Sequence, residues 1–343
     1  MSVQGINADN VTAWMVDHAE GAAPPFTFDL IAGGHSNLTF KVTDANGAAW
    51  CLRRPPLFQV LATAHDMERE HKVIDALWGS EVPVPRPIGL CTDPEVNERP
   101  FYVMDFVEGT ILRDGETAAA YPESFRKDVS RSLVQVLARI HAVDVDAVGL
   151  GDLGKKEDYV ARQLRRWLRQ FEDSKVTDRP VFNEIHDHLV ARIPDQGTAG
   201  IVHGDYRLDN CMVGDDAQIN AVLDWELCTL GDRLADLSGL LCYWTEPGDE
   251  RPALDDSPTA IGGFASREEL LEIYEEASGR SLADIDFYLS FSAWRLASIL
   301  EGVYSRYVNG AMGDKADDTD TEQFVDRIEG LLETASLHAA NVP

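Results

Sequence analysis

The chain has 343 residues, 44% of them apolar, and a formal charge of −29 from 59 Asp and Glu against 30 Lys and Arg. That apolar share can build a sizeable core and excludes disorder of the whole chain. The charge excludes a sequence-independent nucleic-acid binder and disfavours an anionic membrane surface, since both would repel it.

At about 150 residues per domain, the length implies two compact units or one bilobal unit. The start, MSVQGINADN, has neither a basic nor an apolar leader region, and no apolar run reaches membrane-spanning length. The five cysteines (Cys51, Cys91, Cys211, Cys228 and Cys242) are scattered without a CxxC pair. This argues against a zinc site or disulfide framework and predicts a reducing cytoplasmic location.

In chain order, Phe26–Ile31, Leu38–Thr43 and Ala48–Arg53 read as strands, separated by Gly33-Gly34 and the hairpin signal Asn46-Gly47. His65–Leu77 has helical spacing and stops before Pro83, Pro85 and Pro87. Phe101–Val107 is an apolar strand. Beyond it the period turns helical: Ser124–His141, Tyr159–Phe171, Phe182–Arg192, Leu234–Trp244, Arg267–Ser278 and Asp286–Tyr307. A β-type insertion interrupts them, with Cys211–Val213 and Ile219–Leu223 around Gly214-Asp215-Asp216. Two acidic stretches, Thr245–Ser257 and Gly313–Glu322, read as solvated loops. The layout is α+β, with an N-terminal lobe over 1–107 and a larger, mainly helical lobe over 108–343.

The most informative stretch is HGDYRLDN, from His203 to Asn210, followed fourteen residues later by Asp224-Trp225-Glu226. Antiparallel pairing about a turn near residue 216 would bring Asn210 beside Asp224 at the open end of the hairpin. Few, hard oxygen ligands of this kind suit Mg²⁺ that substrate phosphates also hold. The remaining carboxylate, Asp205, is placed to accept a proton from an attacking hydroxyl.

These motifs resemble those of the aminoglycoside phosphotransferase family, a branch of the protein-kinase-like fold. HGDYRLDN is similar to that family's catalytic loop, and Asp224-Trp225-Glu226 stands at its DFG-like position. The resemblance runs from about Phe28 to Tyr307. It implies ATP-dependent phosphoryl transfer to a small-molecule hydroxyl. It further implies that Ile31–Thr39 covers the phosphates, with amides near Ser36 and Asn37 contacting them. Arg53 stands where kinases carry a phosphate-binding Lys, with Arg54 the alternative. Strand alternation puts Cys51 and Arg53 on the nucleotide face and Leu52 in the core. Glu70 resembles the helix-borne partner of that cation. Asp105 and Val107 would offer backbone groups to the adenine, while His203 and Asp236 would support the catalytic loop.

The acceptor is less legible. Arg162, Arg165, Arg166 and Arg169 share one helix face, the densest cationic stripe in the chain. Either surrounding carboxylates neutralise it, or Arg162 and Arg166 meet an anionic acceptor. Trp294 and Tyr304 are further acceptor candidates, with a core role as the alternative. The segments YVARQLRRW, Asp224–Asp236 and RLASILEGVYSR resemble the subfamily found fused to, or alongside, acyl-CoA dehydrogenases. That implies a hydroxyacyl acceptor rather than an antibiotic, although Arg233 replaces that subfamily's usual Pro. A nucleotide-binding pseudokinase and a metallohydrolase are the competing classes, and the absence of HxHxD or HExxH weakens the second.

Overall fold

A computed structural model of the chain describes residues 3–32, 37–57, 66–253, 256–310 and 321–343. In chain order come α1 (Ala8–His18), β1 (Thr27–Ala32), β2 (Leu38–Thr43), β3 (Ala49–Arg54), α2 (Met67–Leu77), β4 (Pro87–Cys91) and β5 (Phe101–Asp105). Next are α3 (Gly115–Ala119), α4 (Glu123–Ala142), α5 (Tyr159–Ser174), α6 (Pro180–Val190), β6 (Gly200–Val202), β7 (Cys211–Val213), β8 (Ile219–Val222) and β9 (Thr229–Gly231). The chain closes with α7 (Leu234–Tyr243), α8 (Arg267–Ser278), α9 (Ile285–Val308) and α10 (Glu322–Ala339). It divides into a unit of Met1–Thr110 with Ile219–Cys228, and a unit of Ile111–Gln218 with Thr229–Pro343.

In the first unit, five antiparallel strands run in the order β1-β2-β3-β5-β4. Register assigns the two faces. Leu52 lies between Phe40 and Val103, and all three are buried in one apolar cluster. Arg53 lies between Thr39 and Tyr102, so it points to the other face. The cluster is completed by α1, a helix the sequence reading did not anticipate. Asn7 caps it by accepting the Asn10 amide, and Val11, Trp14 and Met15 are its buried stripe. Each such side chain removed from water contributes about 1.5–3 kcal/mol.

The helix α2 begins at Met67, capped by Asp66, whose carboxylate accepts the Arg69 amide. The expected start at His65 falls outside the described residues. Its buried face carries Met67, Val73, Ile74 and Leu77, with Glu70 as the one charged member. A fully buried carboxylate needs a partner, and here it has one. The Asn46-Gly47 hairpin forms as its signal requires: Gly47 sits at φ +86°, and the Asp44 carboxylate accepts the Ala23, Asn46 and Ala48 amides.

The second unit is mainly helical. Its core stacks Phe171 on Phe182 at 3.7 Å and Phe182 on Trp294 at 4.6 Å, joining α5, α6 and α9. A capping box of Ser266 and Glu269 starts α8 where expected. The helix α10, packed on α9, is likewise absent from the sequence expectations, as are the short α3, β6 and β9. Most of the acidic stretch before it lies outside the described residues. The other acidic stretch is not a simple solvated loop, because Thr245, Ala253 and Ser257 are buried and Arg267 reaches back to Asp249. At the insertion, β7 and β8 flank a turn in which the Gly214 amide donates to the Gln218 carbonyl at 2.8 Å. Among the described residues no helix is long and apolar enough to cross a membrane. All five cysteines are free thiols.

Candidate active site

The segment His203–Asn210 folds in the second unit around a buried carboxylate. Asp236, on α7, accepts the backbone N–H groups of both His203 and Gly204. Gly204 adopts φ +90°, a conformation that L side chains rarely take, which accounts for glycine between His203 and Asp205. His141 of α4 approaches Asp236 at 3.5 Å through Nε2, and its Nδ1 pairs with the Tyr274 hydroxyl at 2.7 Å. Burial alone would raise the Asp236 carboxyl. The His141 hydrogen bond, the His141 and His203 charges and the Gly204 amide hold it below the usual carboxylate range. His203 is wholly buried. The structure brings His203 and Asp236, the two residues read from sequence as loop supports, together at this point. His141, a third member, was missed; its signal was a lone histidine on the apolar face of α4.

Asp205 follows directly. The Asn210 side-chain amide donates to the Asp205 carbonyl at 2.8 Å and to its carboxylate at 3.0 Å. A short 3₁₀ turn, Leu208–Asn210, aims Asn210 back at Asp205. With its nitrogen so engaged, Asn210 keeps its amide oxygen as a hard donor. Arg207 lies 3.6 Å from Asp205 and 3.1 Å from Asp209, so Asp209 has a local partner.

In the first unit, Arg53 bridges two carboxylates: Glu70 at 2.8 Å and Asp224 at 3.1 Å. Glu70 is wholly buried, while the Asp224 side chain retains 32% exposure. Burial pushes the Glu70 carboxyl up, and Arg53 pulls against it. Arg54 turns elsewhere, donating to the Gly5 and Pro55 carbonyls. Asp224 adopts φ +63°, ψ +61°, a left-handed conformation uncommon outside glycine. Asn37 is buried and donates to Glu226 at 3.4 Å, while Ser36 lies outside the described residues. Asp105 ends β5 with its carboxylate on Arg86 at 3.0 Å, and Val107 lies past the end of that ladder.

Among the described residues, no cluster of three or more His, Cys, Asp or Glu could hold a metal alone. Within its own unit each of two residues keeps a hard oxygen donor of the type Mg²⁺ takes: Asn210 its amide oxygen, and Asp224 a carboxylate with 32% exposure.

The acceptor expectations divide. Trp294 does not line a cleft: it is wholly buried, its indole N–H donating to the Phe182 carbonyl at 3.0 Å. Tyr304 is partly exposed and stacks on Phe324 of α10 at 6.3 Å. The α5 arginines line an open concavity with Gln170, Asp173 and Ser174. Among the described residues no carboxylate comes within 4.0 Å of any of them, so neutralisation by ion pairs is not seen there. Arg162 donates to the Lys155 carbonyl, and Arg166 lies over Trp167 at 5.1 Å. Arg233 donates to the Thr198 and Ala199 carbonyls, a structural role that its predicted counterpart Pro could not fill.

The family model of the phosphotransferase enzyme family matches residues 27–270. Acyl-CoA dehydrogenase family member 11 of Homo sapiens is 32% identical over 336 residues, covering 96% of this chain and 42% of that protein. Acyl-CoA dehydrogenase family member 10 of Mus musculus is 35% identical over 300 residues, covering 85% and 27%. The chain thus spans less than half the length of these curated relatives. A solved structure from Ralstonia eutropha JMP134, provisionally called an aminoglycoside phosphotransferase, matches with a TM-score of 0.82 at 34% identity. That match covers 98% of this chain and 99% of that one. The macrolide 2'-phosphotransferase of Brachybacterium faecium shares the fold, with a TM-score of 0.59 at 20% identity, covering 93% and 97%.

Proposed function

The chain belongs to the phosphotransferase enzyme family, and from that premise we propose that it transfers the γ-phosphoryl group of ATP to a hydroxyl of a small metabolite, in particular a hydroxyacyl compound. One observation carries the reading. A carboxylate, Asp205, is held by Asn210 on a loop clamped by the buried Asp236. That preorganisation suits a group that must meet an incoming hydroxyl in one orientation.

Asp205 orients the acceptor hydroxyl and takes its proton as the oxygen attacks the γ-phosphorus, while the bond from that phosphorus to the β–γ bridging oxygen breaks and ADP leaves. Arg53 neutralises phosphate charge, and Glu70 holds it on the strand face. Asn210 and Asp224 would hold Mg²⁺, which supplies charge neutralisation at the phosphates when bound. The backbone at Ser36 and Asn37 would cover the phosphates, and the Asp105 carbonyl and Val107 amide would meet the adenine. Catalysis then rests mostly on positioning and electrostatics.

Two features favour an acyl acceptor. The curated relatives carry the name acyl-CoA dehydrogenase, which points to acyl metabolism as the setting. The α5 stripe suits an anionic acceptor docking at Arg162 and Arg166, and it would repel a polycation. Tyr304 is a further candidate for acceptor contact.

The test is to offer hydroxy acids, hydroxyacyl thioesters, amino alcohols and amino sugars with MgATP, and to follow the gain of one phosphoryl group by mass spectrometry. Phosphorylation of a hydroxyacyl compound is the expected result. Transfer to an aminoglycoside and to no acyl compound would overturn the acceptor assignment.

A further inference from the structure

Arg295, on α9, was not needed for any step above, yet it stands in the wall of the cleft that holds Asp205. Its Nη2 donates to the Gly204 carbonyl at 3.0 Å, one residue before Asp205. Its guanidinium lies over the Trp167 ring at 5.5 Å, which fixes the plane of the fork. Its Nε is buried and has no hydrogen-bond partner. Among the described residues no carboxylate lies within 4.0 Å of it, in a chain with 59 acidic residues. A partly buried cation with an unfilled donor and no carboxylate within 4.0 Å is costly unless a ligand supplies oxygen.

The cleft around it has two characters. Its lining includes polar groups, from Asp205, Tyr243 and Arg295, and apolar ones, from Cys242, Leu296 and Ile299. Its volume is only about 20 Å³, room for a water-sized group such as one oxygen of a larger acceptor. The other carboxylate in the lining, Asp236, already accepts the His203 and Gly204 amides. Arg295 is therefore the one lining group that carries a positive charge.

We propose that Arg295 is a specificity-determining residue: it binds a carbonyl or carboxylate oxygen of the acceptor near the hydroxyl presented to Asp205. This rests on the phosphotransferase reading and deepens it. The acceptor class it selects is an aliphatic hydroxy acid or hydroxy thioester, recognised by its second oxygen. A polyamine sugar would bring its cations against the guanidinium.

The experiment uses the full chain with MgATP and matched acceptors: 3- and 4-hydroxybutyrate, their N-acetylcysteamine thioesters, and butan-1-ol and butan-2-ol, which lack the second oxygen. Each is measured with wild type, Arg295→Gln and Arg295→Lys, with thermal midpoints taken to confirm folding. In wild type the oxygen-bearing acceptors lead the alcohols in kcat/KM by about 10–100-fold, the range of one hydrogen bond to a charged group. Arg295→Gln abolishes that lead, mainly through a rise in KM for the oxygen-bearing acceptors, with a smaller fall in kcat/KM for the alcohols. Arg295→Lys restores part of it. Activity with thioesters but not acids assigns the oxygen to a carbonyl, and the converse assigns it to a carboxylate. A uniform fall in kcat for every acceptor in Arg295→Gln would show that Arg295 only positions the loop, and would overturn the proposal while leaving the phosphotransferase reading intact. No transfer to any of these acceptors by wild type would overturn the proposal together with the acyl-acceptor assignment.

Discussion

The Asn210 side chain donates to the Asp205 carboxylate at 3.0 Å, so the two polar residues of the loop are one unit rather than two independent ligands. Removing the amide frees the Asp205 carboxylate to rotate and deletes a hard oxygen donor. Asn210→Ala is expected to lower turnover by about 10²-fold or more, the cost typical of losing a positioned polar group. It should also raise the Mg²⁺ concentration needed for half-maximal rate. A titration of rate against Mg²⁺ checks both, and an unchanged metal dependence would remove Asn210 from the metal site.

Arg53 is the counter-charge of a carboxylate with no access to water. Arg53→Ala would strand Glu70, at a cost of about 3–5 kcal/mol for one partner of a buried pair. The double variant Arg53→Met with Glu70→Leu should recover much of that stability while still failing to bind MgATP as wild type does. Denaturation midpoints and ATP titrations of the three proteins separate folding from phosphate binding. Equal ATP affinity in all of them would exclude Arg53 from the phosphates.

Much of this was legible in the sequence, for identifiable reasons. The alternation of Cys51, Leu52 and Arg53 fixed their faces because strand period is two and Leu52 has no polar alternative to the core. Helices with apolar stripes, such as α4 and α8, were found because burial imposes their spacing. The helix α1 is short, and its apolar stripe is only Val11, Trp14 and Met15 behind the Asn7 cap, a weaker periodic signal than that of α4. Trp294 was ambiguous because an aromatic on a buried helix suits a core and a cleft equally. Only the Phe182 carbonyl, from a helix more than a hundred residues away in sequence, decides it. Arg295 stands on a helix whose polar and aromatic groups the sequence offers as acceptor-cleft candidates, but what singles it out is the company of Gly204 and Trp167, brought together by tertiary folding.

The clamp beneath the loop predicts a pH effect on stability. Burial pushes the His141 imidazole below its usual range, with Asp236 opposing. Native His141 therefore binds fewer protons than the unfolded chain between its depressed value and about 6.5. Its contribution is present above pH 6.5 and is lost as pH falls through that window. Asp236, also depressed, adds a loss only below about pH 4, where the unfolded carboxyl protonates. Glu70, whose carboxyl is raised, acts in the opposite sense and is common to both proteins compared. The stability gap between wild type and His141→Gln, from urea midpoints, should narrow as pH falls from 7 to 5. A constant gap would mean that His141 does not titrate on unfolding.

Phosphoryl transfer through Asp205 is the central claim, and Asp205→Ala tests it most directly. With an acceptor that wild type phosphorylates, the variant is expected to turn over about 10²–10⁴-fold more slowly while MgATP affinity stays near the wild-type value. Turnover close to wild type in the variant would contradict the account.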